Sequence, residues 1–223
     1  MLREFLNANG AMLWQGCLET LYMTALSTIF AYLLGLPLGI LLVTTAKNGI
    51  YPMKTVHDLL SWVINVGRSI PFIILMVALM PFTQLIIGKM IGTTATIVPL
   101  VIAAAPFIAR LVESAVEELD RGVVEASKTM GATNWQIIYK VILPETTPSL
   151  IRGASITTIT LIGYSAMAGA LGGGGLGDIA IRYGYNRYQN DVMFATIIIL
   201  ILIVQVIQYL FHLSAKKIDK RNK

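Results

Sequence analysis

Residues 113–149 read ESAVEELDRGVVEASKTMGATNWQIIYKVILPETTPS and form the longest polar segment of the chain. Apolar runs rich in Ile and Ala lie on both sides of it, at about residues 92–111 and 153–172. A helix needs roughly 20 apolar residues to cross the hydrocarbon core of a bilayer, and each run is long enough. The polar segment is therefore predicted to be a loop between two membrane-spanning helices.

The composition agrees with a membrane protein. Hydrophobic residues make up 56% of the 223 residues, charged residues only 13%, and the mean hydropathy is +0.72. A soluble domain carries about 25% charged residues, so this chain has too few charges to cover a surface that faces water. Because the apolar runs are spread along the whole length, a single domain over residues 1–223 is expected.

The pattern predicts an all-α polytopic membrane protein with five transmembrane helices. Pro71 lies inside the second of these and is expected to break or bend it, which membrane helices tolerate where neighbouring groups satisfy the freed carbonyls. The predicted spans lie at about residues 20–44, 59–80, 92–111, 153–172 and 192–213.

Basic residues predict the orientation, because Lys and Arg in short loops favour the cytoplasmic side. With five spans the two termini lie on opposite sides of the membrane. One side would hold Lys47, Lys54, Arg121, Lys128, Lys140 and the basic tail at 215–223, and the other Arg3, Lys89, Arg182 and Arg187. The N-terminus is therefore predicted outside, and the C-terminus and the 113–149 loop in the cytoplasm.

Several classes of protein are disfavoured by what the chain contains. The net charge of +5 comes from scattered residues and a short tail beside a span, which anionic lipid explains better than nucleic acid. The single Cys17 cannot form an intrachain disulfide, and with two histidines, His57 and His212, a structural metal site is not expected. The first apolar run is too long for the core of a cleavable signal peptide.

The loop has the capping residues of two short helices. Asp120 is predicted to cap a helix over 121–130, and Gly131 to end it in the left-handed conformation. Thr133 or Asn134 would cap a second helix over 135–143, which is expected to stop before Pro144. We call residues 121–144 the knob. On this pattern alone, an amphipathic segment lying on the membrane surface fits equally well.

The spacing within the loop is more specific. Glu125-Ala126-Ser127 is followed after three residues by Gly131 and, after nine intervening residues, by Val141-Ile142-Leu143-Pro144. This resembles the EAA loop of ABC importer permeases, with Ser127 in place of the second alanine and Val141 in place of isoleucine. The resemblance implies the type I ABC importer permease fold and a loop that couples the spans to a separate ATPase subunit. The residues that it implicates in ATPase coupling are Glu125, Ala126, Ser127, Gly131, Ala132, Leu143 and Pro144.

Four further strings resemble the methionine-importer branch of these permeases, at 68–88, 91–100, 104–113 and 163–185. The last, GYSAMAGALGGGGLGDIAIRYGY, is the most distinctive. The resemblance implies a homodimer in the bacterial inner membrane that imports L- and D-methionine, delivered by an extracytoplasmic binding protein. It also implies two copies of an ATPase subunit that use ATP and Mg, whereas this chain binds no cofactor and is not an enzyme.

The 163–185 string contains the candidate path and docking residues. Small residues in the fourth span leave room for a pore or permit close helix packing, and both interpretations remain open. The candidates for the translocation path are Tyr164, Ser165, Met167 and Gly169. Glycines 172–175 are expected to end the helix in a flexible outer mouth. Arg182, Tyr185 and Arg187 are candidates for docking of the binding protein, the alternative being an aromatic belt at the membrane interface.

Other functions lack the residues that they require. No phosphate-binding G-x4-G-K-[ST] motif occurs, and the GxGxxG at 172–177 follows no strand pattern. A secondary transporter would need acidic residues for ion coupling inside the spans, where only Glu19 stands, at an edge. A membrane enzyme would need paired carboxylates or a nucleophile with its base. A channel would need an oligomeric filter, for which the glycine run is the one candidate. Three of the other polar residues in the spans are also candidates, because burying them in lipid is costly. Arg68 is expected to anchor the chain, the alternative being a cytoplasmic vestibule, and Gln205 and Gln208 to bond between helices, the alternative being the path.

Overall fold

The computed structural model describes residues 2–218, and the last five residues of the predicted basic tail lie outside that range. Every regular element within it is helical, which confirms the predicted all-α class. In chain order the elements are α1 (Leu2–Thr45), α2 (Lys54–Ser69), α3 (Phe72–Ala78), α4 (Met80–Ile87), α5 (Thr93–Glu117), α6 (Arg121–Thr129), α7 (Asn134–Ile137), a π-helical turn (Ile138–Ile142), α8 (Leu143–Gly169), α9 (Gly175–Ile179), a second π-helical turn (Ala180–Tyr185) and α10 (Asn190–Ile218).

Three of the described helices are long and apolar enough to cross a membrane: Asn7–Thr45 within α1, Thr93–Glu117 and Asn190–Ile218. The pair α2 and α3 qualifies as a fourth if the two helices count as one broken span. α8 covers most of the predicted fourth span but is not among these helices, because its threonines, serines and glycines lower its hydropathy.

The predicted break at Pro71 is confirmed. α2 ends at Ser69, α3 begins at Phe72, and the two axes are bent by 100°. Pro71 has no N–H to continue the hydrogen bonds of α2, and it disfavours the α-helical conformation at Ile70. Its own φ of −58° and ψ of 133° place it in the extended region at the start of α3.

The described chain divides into two compact units. The first comprises the chain up to Ala31 together with Ile70–Ala104 and Thr158–Gln208, and the second comprises Tyr32–Ser69, Ala105–Thr157 and the chain from Tyr209 onward. The first unit therefore contains the 163–185 string and the second contains the knob.

Glycines allow close helix packing in the second unit. A Cβ built on Gly35 of α1 would lie 2.7 Å from the carbonyl oxygen of Ala105 in α5, and one on Gly39 would lie 2.7 Å from that of Ala109. Small residues four positions apart let two helix backbones approach in this way, as is common between membrane helices. Next to this contact, Leu42, Ile64 and Ala109 form a buried cluster that joins α1, α2 and α5.

The prediction that the second short helix stops before Pro144 is wrong. α7 passes through the π-helical turn directly into α8, and Pro144 is the second residue of α8. The N–H of Leu143 bonds to the carbonyl of Ile138, five residues back. An α-helical turn would crowd the proline ring, and this wider turn relieves the crowding where proline also lacks a donor.

Candidate functional site

The first helix of the knob is capped as the sequence predicts. Asp120 is extended (φ −61°, ψ 121°), and its carboxylate accepts a hydrogen bond of 2.8 Å from the N–H of Gly122. At the other end Gly131 has a φ of +79°, and the N–H of Ala132 bonds to the carbonyl of Ser127 at 3.1 Å. A left-handed residue at this position is the usual way to satisfy the last carbonyls of a helix. Both predictions are confirmed.

The second helix begins with a capping box. The hydroxyl of Thr133 accepts from the N–H of Gln136 at 3.4 Å, and the side chain of Gln136 accepts from the N–H of Thr133 at 2.8 Å. Of the two predicted caps, Thr133 is therefore the one used. The start of a helix leaves backbone N–H groups without acceptors, and the side chains of Thr133 and Gln136 each satisfy one of them. This capping box holds α7 at a defined angle after Gly131.

An apolar cluster attaches the knob to the rest of the second unit. Leu119, Ile137 and Ile142 are buried together. Partly buried residues that pack against them are Ile50, Val116, Val124 and Ala132. Because Val116 belongs to α5 and Ile142 leads directly into α8, the knob is packed onto the end of one long helix and continuous with the start of another.

The seven predicted coupling residues do not share one face. Glu125, Ala126, Gly131 and Pro144 are exposed, whereas Ala132 and Leu143 are half-buried. Ser127 is buried, and its hydroxyl donates to the carbonyl of Val123 at 2.8 Å. The structure thus places Ser127 in the packing of the knob rather than on an exposed surface that a partner could contact.

An exposed apolar surface on the knob was not predicted from the sequence. The exposed fractions of Met130, Trp135 and Tyr139 are 80%, 68% and 64%, and the rings of Trp135 and Tyr139 stack with centroids 5.7 Å apart. The separation of four residues is the signal that would have found the pair, since such residues lie on the same side of a helix. Large exposed apolar side chains on a polar segment are typical of an interaction site.

A cleft of about 660 Å³ opens beside the knob within the second unit. It is lined by the end of α1, the loop after it, the end of α5, and α6. The predicted coupling residue Glu125 is one of the lining residues of this concave, mixed-charge surface. The other charged side chains that line it are Lys47, Glu113, Glu117 and Lys128.

The candidate path residues of α8 divide into buried and accessible ones. Ser165 and Gly169 are buried, and a Cβ on Gly169 would overlap the backbone of Gly177 and Asp178. Tyr164 is half-buried and stacks on Phe72, with ring centroids 4.5 Å apart and planes 4° from parallel. Met167 is exposed. Ser165 and Gly169 therefore serve packing in this structure, while Tyr164 and Met167 remain accessible.

The glycine-rich loop 172–175 is tied to neighbouring helices. The N–H of Gly175 donates to the carboxylate of Glu19 at 2.7 Å, and the N–H of Leu176 donates to the hydroxyl of Thr20 at 2.9 Å. A Cβ on Gly174 would lie 2.7 Å from the hydroxyl of Thr93, and the φ of Gly174 is +80°. At Gly174 a side chain would have too little space, and the positive φ is one that glycine adopts without strain. α8 ends at Gly169, before the glycine run, as predicted, and the contacts of Gly174, Gly175 and Leu176 tie the end of this loop to α1 and α5.

The candidate docking residues follow this loop in the first unit. Arg182 forms a salt bridge of 2.6 Å with Asp178, and the guanidinium of Arg187 lies 4.5 Å from the centre of the Tyr183 ring. Tyr185 and Tyr188 are strongly exposed. A cation is attracted to a carboxylate and to the face of an aromatic ring, so these contacts hold the side chains of Arg182 and Arg187 in place.

Within residues 2–218, no group of three or more His, Cys, Asp or Glu side chains is arranged to hold a metal ion.

Curated relatives match the chain over nearly its whole length. The probable D-methionine transport system permease protein MetI of Vibrio cholerae is 48% identical over 220 residues, which cover 99% of this chain and 98% of that protein. The methionine import system permease protein MetP of Bacillus subtilis is 45% identical over 219 residues, covering 98% and 99%. The predicted resemblance to methionine-importer permeases is confirmed.

A solved structure of the MetNI methionine ABC transporter, in an inward-facing conformation, matches with a TM-score of 0.92 and 47% identity. The match covers 93% of this chain and 96% of the solved one. The family described as the inner membrane component of binding-protein-dependent transport systems matches residues 35–223. Since this match extends over most of the sequence, the chain belongs to the family of inner membrane components of binding-protein-dependent transport systems.

Proposed function

We propose that this chain is the permease subunit of an ATP-driven importer that carries methionine, in its L and D forms, across the bacterial inner membrane. The knob is the observation that carries the proposal. It is a doubly capped, exposed helical pair that presents Glu125, Ala126 and Gly131. The methionine specificity rests on the relatives named MetI and MetP, which are 48% and 45% identical to this chain.

The proposed topology has five spans within a single domain, with the N-terminus outside and the C-terminus in the cytoplasm. The spans are α1, the bent pair α2–α3, α5, α8 and α10. α8 has 27 residues and is therefore about 40 Å long, which exceeds the hydrocarbon thickness of about 30 Å. Because two spans, α8 and α10, separate the knob from the basic C-terminal residues, both lie on the same side of the membrane, which the rule for basic residues makes the cytoplasmic one.

The proposed complex contains two copies of this chain and two copies of an ATPase subunit. It receives its substrate from an extracytoplasmic methionine-binding protein. ATP and Mg would be bound by the ATPase subunits, because the sequence of this chain has no phosphate-binding motif. Arg182, Tyr185 and Arg187 are proposed to contact the binding protein, since a salt bridge and a cation–π contact already hold the two arginines in position.

The proposed coupling follows from how the knob is attached. The exposed side chains Met130, Trp135 and Tyr139, together with Glu125, would fill a groove on the ATPase subunit. When the ATPase subunits close, the knob moves as a body, because its inner face is packed against α5 and its second helix continues into α8. Packed elements of this kind transmit displacement rather than absorb it. Tyr164 and Met167 are proposed to face the path along α8.

The proposal is tested by reconstituting the chain in liposomes with its ATPase subunit and binding protein. Uptake of labelled L- and D-methionine should require ATP and fall when unlabelled methionine competes. Uptake without ATP would contradict the coupling, and preference for another amino acid would contradict the substrate. A complex lacking the binding protein serves as the matched control, and it should hydrolyse ATP without comparable uptake.

A further inference from the structure

Arg110 joins two helices of the second unit through its guanidinium. It stands on α5, where one nitrogen bonds to the carboxylate of Glu113 and the other to the hydroxyl of Ser61 on α2. The second nitrogen also lies 3.0 Å from the side-chain oxygen of Asn65 and 3.4 Å from the carbonyl of Ser61. The side chains of Arg110 and Glu113 are 21% and 14% exposed. A planar, forked cation is suited to holding several acceptors in this way.

Arg110 is a charged residue on a helix that is long enough to cross a membrane. Charged residues within membrane-spanning segments are costly, and they occur where they are paired or serve a function. Arg110 is seven residues from the end of α5, a helix long enough to cross a membrane. Arg68 on α2 offers a comparison, since its exposed side chain has no hydrogen-bonding partner within residues 2–218. The two arginines therefore differ in their contacts although both lie in the same unit.

Arg110 lies on a continuous set of contacts that begins at the knob. Leu119, Ile137 and Ile142 attach the knob to the last turns of α5, where Val116 packs against them. Two turns earlier on the same helix, the guanidinium of Arg110 connects α5 to the side chains of Ser61 and Asn65 and to the carbonyl of Ser61 on α2. Apolar contacts join the same two helices close by, where Ile64 and Ala109 are buried together and Gly67 faces Pro106.

We propose that Arg110 is a positioning residue that fastens α2 to α5, so that displacement of the knob moves α2 together with α5. The inference rests on the proposed function, because it states how the movement that the ATPase subunits impose on the knob reaches α2. Without the cluster, α5 would follow the knob while α2 lagged behind. ATP would then be hydrolysed with less substrate carried per turnover.

A covalent replacement for the cluster is available in the structure. A Cβ built on Gly67 of α2 lies 3.6 Å from the Cβ of Pro106 on α5. Disulfides have Cβ atoms about 3.5–4.5 Å apart, so this separation suits a disulfide between Gly67→Cys and Pro106→Cys. Cys17 is replaced by serine in every variant, so that only the introduced pair reacts.

The experiment measures methionine uptake per ATP hydrolysed by the reconstituted complex. Arg110→Gln should assemble and hydrolyse ATP at close to the normal rate, while uptake per ATP falls about tenfold. Oxidising the Gly67–Pro106 cysteine pair in the Arg110→Gln protein should restore most of the lost uptake per ATP, and reduction should abolish the recovery. Arg68→Gln is the matched control and should leave this ratio unchanged.

The inference is overturned if Arg110→Gln couples as well as the parent protein, or if its deficit is the same with the cysteine pair oxidised and reduced. If Arg110→Gln does not assemble, the double variant Ser61→Ala, Asn65→Ala takes its place, because it removes acceptors from α2 and leaves Arg110 intact. Failure of the parent complex to take up methionine contradicts the proposed function instead. The two failures are therefore distinguishable.

Discussion

The carboxylate of Glu19 accepts a hydrogen bond of 2.7 Å from the backbone N–H of Gly175, which lies 156 residues later in the chain. The other carboxylate oxygen accepts from the side chain of Gln15 at 2.9 Å, so both oxygens of Glu19 are engaged. Thr20, the next residue of α1, accepts from the N–H of Leu176 in the same way. A carboxylate at the edge of a predicted span thus holds the start of α9 in place.

Replacing Glu19 with alanine should destabilise the first unit. The change leaves the N–H of Gly175 without its acceptor, and an unsatisfied donor of this kind costs about 1–3 kcal/mol. Thermal unfolding of the detergent-solubilised protein measures the effect. Glu19→Gln keeps a carbonyl oxygen within reach and should lose clearly less. Equal losses for the two variants would show that the hydrogen bond contributes nothing.

Gly174→Ala should be more harmful than the same change at Gly163. Gly174 has a φ of +80°, and its added Cβ would lie 2.7 Å from the Thr93 hydroxyl and 2.9 Å from Glu19. Position 163 lies within α8, and an added Cβ there meets nothing within 4 Å. Left-handed strain alone costs on the order of 1 kcal/mol, and the close contacts add to it. Comparing the unfolding temperatures of the two variants checks this expectation, which equal temperatures would contradict.

A bulky residue at Gly131 should weaken coupling without preventing insertion. The φ of +79° at Gly131 is poorly accessible to valine, whereas asparagine adopts it readily. Gly131→Val should therefore displace α7 from α6 and reduce both recovery of the ATPase subunit and ATP-driven uptake. Gly131→Asn is the matched control and should retain most of each. Normal uptake by the valine variant would refute the role proposed for the knob.

The exposed aromatic pair should contribute to binding of the ATPase subunit. Trp135→Ala is expected to weaken the association by tenfold or more, about 1.4 kcal/mol, because tryptophan is among the side chains that dominate protein interfaces. Affinity of the purified permease for its ATPase subunit gives the measurement. Trp62→Ala is the control, since Trp62 is similarly exposed on α2 but lies outside the knob. The same loss for both variants would point to general destabilisation.

The knob shows how far local sequence determines structure. Asp120, Gly131 and Thr133 act on backbone groups no more than a few residues away, and all three take the predicted conformations. The break at Pro71 is equally local, because a missing donor and a restricted neighbour follow from proline itself. The family resemblance is carried by motifs of this kind and by apolar runs, and it was confirmed along the chain.

Other features were not predicted from the motifs of the sequence. The inward position of Ser127 follows from how the knob packs, and the continuation of the helix through Pro144 follows from the π-helical turn before it. No short pattern encodes either outcome. The division of the candidate path residues into buried and accessible ones likewise follows from which side of α8 its neighbours cover.

The sequence by itself therefore determined the helical membrane class, the family and the capped knob, because these rest on composition and on interactions within a few residues. Only the tertiary structure decided that Glu19 holds the glycine-rich loop and that Arg110 bonds to residues 45 and 49 positions away. The physical reason is that a polar side chain in an apolar surrounding must find a partner, and packing determines which one comes within reach.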